Sequence, residues 1–220
     1  MFKIYYRISD KGNPFGRLNG YENAWFQILT RRDCLSNFIK IFGKNELIIV
    51  ADNVNDDTFK YLQTLNIDNL IRTNLGNIRS FKLILEMAIK ELTDEDIVYF
   101  VEDDYIHTGN CKELINEGLE QYHYVSLFDH LDKYIDNGNN PLIKNHGEDT
   151  KVIITKTSHW KYTNATTMTF AAKIKILKQD YDVIMKYNQD HFPHPYNLIG
   201  QDFGRNFSGL TGFPLTRTSK

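Results

Sequence analysis

Three consecutive acidic residues, Glu102, Asp103 and Asp104, directly follow the apolar run Ile97–Val101. A run of this kind is typical of a buried strand, which would deliver the three carboxylates to one point. Because adjacent carboxylates repel one another, such a group is costly to bury unless a cation joins it. Mg²⁺ or Mn²⁺ suits hard oxygen ligands and usually takes one or two carboxylates, with phosphate oxygens and water in its remaining positions. The trio therefore indicates a site for a divalent cation and a diphosphate, although a solvated turn would have the same sequence.

Two other places match an acidic-x-acidic pattern. Asp94 and Asp96 come before the same apolar run, at the start of the predicted strand, and Asp180 and Asp182 fall within a predicted helix. Ligands of parallel sheets bind beyond the carboxyl ends of the strands. Only the trio at 102–104 stands at such an end.

Polar residues also end the other predicted strands of the first half. They are Ser9 and Asp10 after the first strand, Asp52 and Asn53 after the second, and Asn74 and Asn77 after the third. Because the carboxyl ends of parallel strands lie along one edge of a sheet, we expect these residues to converge with the acidic trio.

Residues 1–128 alternate between strand and helix patterns. Strands are predicted at 2–8, 47–51, 70–72, 97–101 and 124–128. The clearest helix carries Phe81, Ile84, Leu85, Ala88 and Leu92 on one face, and Asp33 and Asp56 are the predicted N-caps of two earlier helices. Repeated strand-helix units predict an α/β fold with a mostly parallel sheet flanked by helices.

The second half has a different pattern. Residues 129–150 are polar and are predicted to form a long loop, either a lid or an insertion. Strands are predicted at 152–157 and 166–172, with a helix at 173–187. The segment 190–214 is rich in aromatic residues, Gly and Pro. We expect a single domain in which 129–220 forms a smaller part with mixed strands.

Composition narrows the class of protein. The 220 residues are 41% hydrophobic and 25% charged, which excludes a disordered or collagenous chain, and the net charge of −2 gives no general basic field for nucleic acid. The apolar runs are too short for a transmembrane segment, which needs about 20 residues. Two cysteines make neither a disulfide framework nor a zinc site, and the N-terminus has no signal-sequence pattern. We expect a cytoplasmic protein.

The chain resembles a glycosyltransferase of the GT-A fold, a Rossmann-like fold whose acidic DXD motif binds a divalent metal and a nucleotide sugar. More loosely, it is similar to compact single-domain transferases of large DNA viruses and some bacteria. If the chain is viral, this resemblance implies a location in the host cytoplasm. The resemblance spans roughly residues 2–205. The segments that carry it are Arg7-Ile8-Ser9-Asp10, Ile48-Ile49-Val50-Ala51-Asp52-Asn53, Leu75-Gly76-Asn77-Ile78-Arg79-Ser80, Val101-Glu102-Asp103-Asp104 and Gln201-Asp202-Phe203.

The resemblance implies that residues 1–128 bind the nucleotide sugar and that residues 129–220 bind the acceptor. It also implies roles for single residues. Glu102 and Asp104 match the two acidic positions of the motif and would hold Mn²⁺ or Mg²⁺, with Asp104 as the first choice for direct contact. Asp103 occupies the variable position and is assigned to nucleotide-sugar binding. The other residues assigned to nucleotide-sugar binding are Arg7, Ser9, Asp52, Asn77 and Arg79. Alternatively, Asp52 only caps the following turn, and Arg79 is a solvated helix residue.

The late Asp202 is the predicted catalytic residue, since inverting enzymes of this fold carry a late carboxylate that deprotonates the acceptor hydroxyl. It could instead contact sugar hydroxyls or cap a helix. His159 or His194 could complete the metal site, although each is more often a packing or loop residue.

These features predict a metal-dependent glycosyltransferase that moves a sugar from a nucleoside diphosphate sugar, with a UDP-sugar favoured, to a hydroxyl of a glycan or glycoprotein. One alternative is a nucleotidyltransferase that makes activated sugars, although the Gly-x-Gly spacing of its phosphate loop is missing from 9–17. Another is a binding module without turnover. A dinucleotide-binding dehydrogenase is disfavoured because no Gly-x-Gly-x-x-Gly follows the first strand.

Overall fold

The fold is that of a computed structural model, which describes residues 1–11, 30–128, 152–163, 169–187 and 209–214. The chain divides into two compact units, residues 1–111 and 112–220. The assignment of nucleotide-sugar binding to 1–128 and acceptor binding to 129–220 remains a prediction.

The first unit is built on parallel strands. β1 (Phe2–Ile8) pairs with β2 (Leu47–Asp52) on one side and with β4 (Ile97–Val101) on the other, and β2 pairs with β3 (Asn69–Thr73). The strand order is therefore β3-β2-β1-β4, and all three pairings are parallel. This confirms the predicted α/β fold with a mostly parallel sheet.

Helices connect these strands: α1 (Arg31–Phe42), α2 (Asp56–Thr64) and α3 (Asn77–Glu91). Two predicted N-caps are wrong. Thr30 caps α1, and Asp33 is the third helical residue, whose carboxylate accepts the Thr30 N–H in a capping box. Asn55 caps α2 by accepting the Thr58 N–H, so Asp56 is the first helical residue. In each case a polar residue just upstream competes for the same role.

Aromatic residues show that helices cover both faces of this sheet. Successive residues of a strand point to opposite faces. Tyr6 of β1 packs against Phe38 of α1, with ring centroids 5.1 Å apart. On the other face Phe100 of β4 packs 5.5 Å from Phe81 of α3 and 5.9 Å from Tyr5. The sheet is thus buried between α1 and α3, and its polar residues are left to the strand ends.

The second unit has mixed strands. Helix α4 (Cys111–Gln121) leads into β5 (Tyr124–Ser126), and β6 (Val152–Ile154), β7 (Ser158–Thr163), β8 (Phe170–Lys173) and β9 (Gly209–Pro214) follow in chain order. The strand order is β8-β5-β9-β7-β6, in which β5 and β9 are parallel and the other neighbours are antiparallel. The helix predicted at 173–187 is two helices, α5 (Ile174–Gln179) and α6 (Tyr181–Tyr187).

None of the helices among the described residues combines the length and the hydrophobicity of a membrane-spanning segment.

Candidate functional site

A cavity of about 410 Å³ lies at the carboxyl ends of β1, β2 and β4. Its lining combines the acidic trio with cationic and amide side chains. Among the described residues the lining consists of Arg7, Ile8, Ser9, Lys11, Arg31, Asp52, Asn53, Gly76, Asn77, Ser80, Glu102, Asp103 and Asp104. The predicted convergence of strand ends is therefore seen in the first unit.

Arg7 lines this cavity and connects three parts of the first unit. The residue is 6% exposed, and its guanidinium donates from Nη1 to the Asn77 backbone oxygen at 2.8 Å, to Asn77 Oδ1 at 2.7 Å and to Ser80 Oγ at 3.2 Å. Nη2 donates to Glu102 Oε1 at 3.1 Å. Arg7 therefore joins the end of β1 to the first turn of α3 and to the acidic trio. Burial lowers the pKa of Arg7, and the nearby carboxylates, Glu102 foremost, oppose that shift.

Burial and mutual repulsion disfavour the charged forms of Glu102 and Asp103. Burial raises the pKa of Glu102 to about 7; Arg7 opposes this shift, and the carboxylates of Asp104 and Asp103 add to it. Burial also raises the pKa of Asp103 to about 6, against the Ser9 N–H and the Arg31 guanidinium. A cation at the trio would favour the charged forms of these groups.

The three carboxylates have different surroundings. Asp103 Oδ2 accepts the Ser9 N–H at 2.8 Å and lies 3.1 Å from Arg31 Nε, so it joins the loop after β1 to the start of α1. Glu102 pairs with Arg7. Asp104 is exposed where it lines the cavity.

No group of three or more His, Cys, Asp or Glu side chains within the described parts of the chain is arranged to hold a metal ion. The donor set nevertheless fits Mg²⁺ or Mn²⁺ of the kind that takes one or two carboxylates and completes its shell with water and phosphate. Asp104, with Glu102 beside it, would supply the carboxylates.

The carboxylate of Asp52 accepts four hydrogen bonds from other residues of the protein. Oδ1 accepts from Thr73 Oγ1 at 2.8 Å and from the Leu75 N–H at 2.6 Å, and Oδ2 accepts from the Gly76 N–H at 2.9 Å and Asn53 Nδ2 at 2.8 Å. Burial raises the pKa of Asp52, but these hydrogen bonds outweigh it and hold the pKa below its usual value. Asp52 thus fixes the loop that leads into α3.

The remaining predicted residues fall in different places. Ser9 and Asn77 line the cavity, whereas Arg79 is exposed on the first turn of α3 and is not among the described lining residues. His159 lies on β7 of the second unit, paired with Ile154 and Phe213. Asp202, His194 and the loop 129–150 lie outside the described residues.

Sequence reasoning missed two cations and one hydroxyl at the cavity. Lys11 directly follows Ser9 and Asp10 at the end of β1, so its position in the sequence could have indicated that it lies at the cavity. Ser80 lies three residues after Asn77 on α3, the spacing that places both on one face of a helix. Arg31 begins α1, and nothing in its spacing relates it to the acidic trio.

The fold is similar to that of CMP:2-keto-3-deoxy-manno-octonic acid synthetase complexed with CTP, with a TM-score of 0.50 and 12% identity over 96% of this chain and 88% of that chain. S. aureus TarS 1–349 aligns with a TM-score of 0.43 and 15% identity over 82% of this chain and 49% of that chain, so this chain spans about half of that structure. Francisella tularensis 2-C-methyl-D-erythritol 4-phosphate cytidylyltransferase aligns with a TM-score of 0.43 and 13% identity over 92% and 87% of the two chains. No protein-family model and no curated protein sequence matches the chain. The similarity shows a Rossmann-like α/β fold.

Proposed function

We propose that this protein is a transferase that uses a nucleotide sugar, and specifically a glycosyltransferase. It would move a sugar from a nucleoside diphosphate sugar, with a UDP-sugar as the first candidate, to a hydroxyl of a glycan or glycoprotein. The observation that carries this proposal is the cavity of about 410 Å³, where the acidic trio meets Lys11 and Arg31 at the carboxyl ends of the strands. Negatively and positively charged side chains at the same edge of the sheet suit a diphosphate that is bound together with a divalent cation.

Asp104, with Glu102 beside it, would hold the cation, because Asp104 is exposed at the cavity and Asp103 already accepts from Ser9. Bound Mn²⁺ or Mg²⁺ would neutralise charge on the departing diphosphate. Lys11 and Arg31 line the same space and would add positive charge near the phosphates.

The donor contacts predicted for Ser9 and Asn77 are supported by their position in the lining. Arg7 lines the cavity but is buried, and it is hydrogen-bonded to Asn77 and Glu102, which favours an indirect contribution through these two residues. Direct contacts of Asp52, Asp103 and Arg79 with the donor remain predictions.

In the transfer step, the acceptor oxygen would form a bond to the anomeric carbon of the sugar. The bond between that carbon and the diphosphate oxygen would break, so that the nucleoside diphosphate leaves with the electron pair. The acceptor proton must pass to a base, and Asp202 is the residue proposed for this role.

A second candidate is a sugar nucleotidyltransferase, in which a sugar phosphate or sugar acid attacks the α-phosphorus of a nucleoside triphosphate and pyrophosphate leaves. The observation that favours it is the similarity to CMP:2-keto-3-deoxy-manno-octonic acid synthetase, which covers 96% of this chain. The same cavity would then bind a triphosphate.

The leaving group distinguishes the two candidates. The protein is incubated with Mn²⁺ and a panel of nucleoside diphosphate sugars, and separately with nucleoside triphosphates and sugar phosphates or acids. Release of a nucleoside diphosphate supports glycosyl transfer, and release of pyrophosphate supports nucleotidyl transfer. Binding of a donor without either product would identify a binding module, and no binding of any nucleotide would refute the proposal.

Asp104→Asn is expected to lower Mn²⁺-dependent turnover about 100-fold or more, because the amide removes a charged oxygen ligand. The thermal unfolding temperature should stay near that of the wild type, since Asp104 is exposed. Asp94→Asn is the matched control, because Asp94 comes before β4, at the opposite end from the cavity. Full activity of Asp104→Asn in the presence of a chelator would show that the metal role is wrong.

A further inference from the structure

The acidic trio belongs to a segment, residues 102–110, that connects β4 to α4, and α1 contacts this segment at two points. At the first point, Arg31 Nε lies 3.1 Å from Asp103 Oδ2. At the second, nearly two helical turns further along α1, the side chain of Asn37 meets His107. Asp104 lies between these two points.

Asn37 contacts both backbone polar groups of His107. Its Nδ2 donates to the His107 carbonyl oxygen at 3.0 Å, and its Oδ1 accepts the His107 N–H at 2.7 Å. A primary amide satisfies a backbone donor and acceptor at once, as a neighbouring strand would. The pair therefore fixes the path of the chain three residues after Asp104.

The side chain of His107 reinforces this attachment. It is 6% exposed, and its ring lies 5.0 Å from that of Phe38, 5.5 Å from Phe42 and 5.8 Å from Tyr99, edge-on in each case. His107 Nε2 and the Tyr99 hydroxyl form a hydrogen bond of 2.8 Å. The ring is thus enclosed by α1 and β4, and the backbone of the segment has few ways to move away from Asn37.

We propose that Asn37 is a positioning residue for Asp104: its amide holds the backbone of His107 so that the Asp104 carboxylate stays at the cavity. The inference rests on the proposed function, in which Asp104 helps to bind a divalent cation with a nucleoside diphosphate. Asn37 is not among the described residues that line the cavity, so it acts only through the segment.

The test compares the wild type with Asn37→Ala by calorimetric titration of UDP, CDP and GDP, each with Mn²⁺ and again with EDTA. Loss of a residue that orients a metal ligand typically weakens binding 10–100-fold. We expect about tenfold weaker binding with Mn²⁺ and a change of less than about twofold with EDTA. Ser36→Ala, an exposed neighbour on α1, is the matched control and should leave both affinities unchanged.

Hydrogen exchange of the His107 amide, measured by NMR without nucleotide, reports on the attachment itself. It should accelerate about tenfold or more in Asn37→Ala, because its acceptor is gone. Asn37→Asp is the second variant: it keeps an acceptor for that N–H but sets an oxygen against the His107 carbonyl. It should show the same loss of Mn²⁺-dependent affinity if Asn37→Ala does not fold.

Accelerated exchange with an unchanged Mn²⁺-dependent affinity would overturn the positioning role while leaving the proposed function intact. An equal loss of affinity with Mn²⁺ and with EDTA would also overturn it, as would failure of both variants to fold, since a positioning residue is dispensable for folding. If the wild type binds no nucleotide with Mn²⁺, the proposed function fails and this inference fails with it.

Discussion

At the scale of single residues, the three adjacent carboxylates of the acidic trio have different surroundings. Glu102 pairs with Arg7 at the end of β1, whereas Asp103 accepts from Ser9 and lies beside Arg31. Asp104 is exposed at the cavity. The three carboxylates of the acidic trio therefore differ in their partners. We expect their single substitutions to have unequal effects on stability and on binding.

Asp52→Asn is expected to destabilise the protein by about 2–3 kcal/mol. The substitution replaces one carboxylate oxygen, which accepts two hydrogen bonds in a buried place, by an NH₂ group that can only donate. The carboxylate is 4% exposed and accepts four hydrogen bonds. Chemical denaturation measures the change. Asp68→Asn, an exposed residue, is the control and should stay within about 0.5 kcal/mol of the wild type. A stable Asp52→Asn with weakened nucleotide-sugar binding would support the donor contact predicted from the sequence instead.

His107 is expected to make the folded state sensitive to acid. Burial lowers its pKa from 6.5 to about 4, so between these values the unfolded chain binds a proton that the folded chain does not. The free energy of unfolding should therefore fall as the pH falls through this window, by about 2 kcal/mol between about pH 7 and pH 5. Denaturation of wild type and His107→Gln at both pH values isolates this contribution, because carboxylates titrate in both proteins. Equal pH slopes in the two proteins would contradict it.

At the scale of elements, the local sequence pattern and the tertiary packing contribute separately to where each helix begins, ends and is buried. The apolar face of α3 from Phe81 to Ala88 was readable from its spacing, and its buried residues agree. The cap of α1 was misassigned because Thr30 and Asp33 form one reciprocal capping box, in which each residue has a capping partner. The predicted helix at 173–187 is interrupted at Asp180, whose carboxylate accepts from the Tyr124 hydroxyl at 2.8 Å.

Gly118 of α4 provides a test of packing in the second unit. A Cβ at this position would lie 2.8 Å from Val125 Cγ2 and 3.1 Å from Trp160 Cη2, and both of those residues are fully buried. Gly118→Ala gains about 1 kcal/mol in helix propensity but loses about 1–3 kcal/mol to overpacking, so we expect a net loss of about 1 kcal/mol. Gly109→Ala is the control, since a Cβ there meets nothing within 4 Å. Equal unfolding midpoints for Gly118→Ala and the wild type would refute this account.

At the scale of the whole molecule, the strands of the two units pair in different ways. The parallel strands of residues 1–111 bring their carboxyl ends to the cavity, and every described residue that lines it belongs to that unit. In the second unit, Leu114 of α4, Val125 of β5 and Trp160 of β7 form a buried hydrophobic cluster. Ligand binding at the cavity is therefore expected to stabilise the first unit directly.

A nucleoside diphosphate with Mn²⁺, supplied at about 100 times its dissociation constant, should stabilise the folded state by about 2.7 kcal/mol. For a protein of this size that corresponds to an increase of roughly 5–10 °C in the unfolding midpoint. Differential scanning fluorimetry is carried out with the nucleotide and Mn²⁺, with the nucleotide and EDTA, and with Mn²⁺ but no nucleotide. The comparison separates the effect of the nucleotide from that of the cation. The same increase in EDTA would argue against a cation at the acidic trio.

The alternation of strands and helices could be predicted from the sequence, and with it a parallel sheet with polar residues at the ends of β1, β2 and β4. These features follow from local periodicity, which each segment carries in its own residues. The partners of the polar residues depend on tertiary packing: Arg7 contacts Asn77 and Glu102, and Asn37 contacts His107. Such pairs are 70 to 95 positions apart in the chain. Their contacts depend on how whole elements pack to within hydrogen-bonding distance, which no short stretch of sequence specifies.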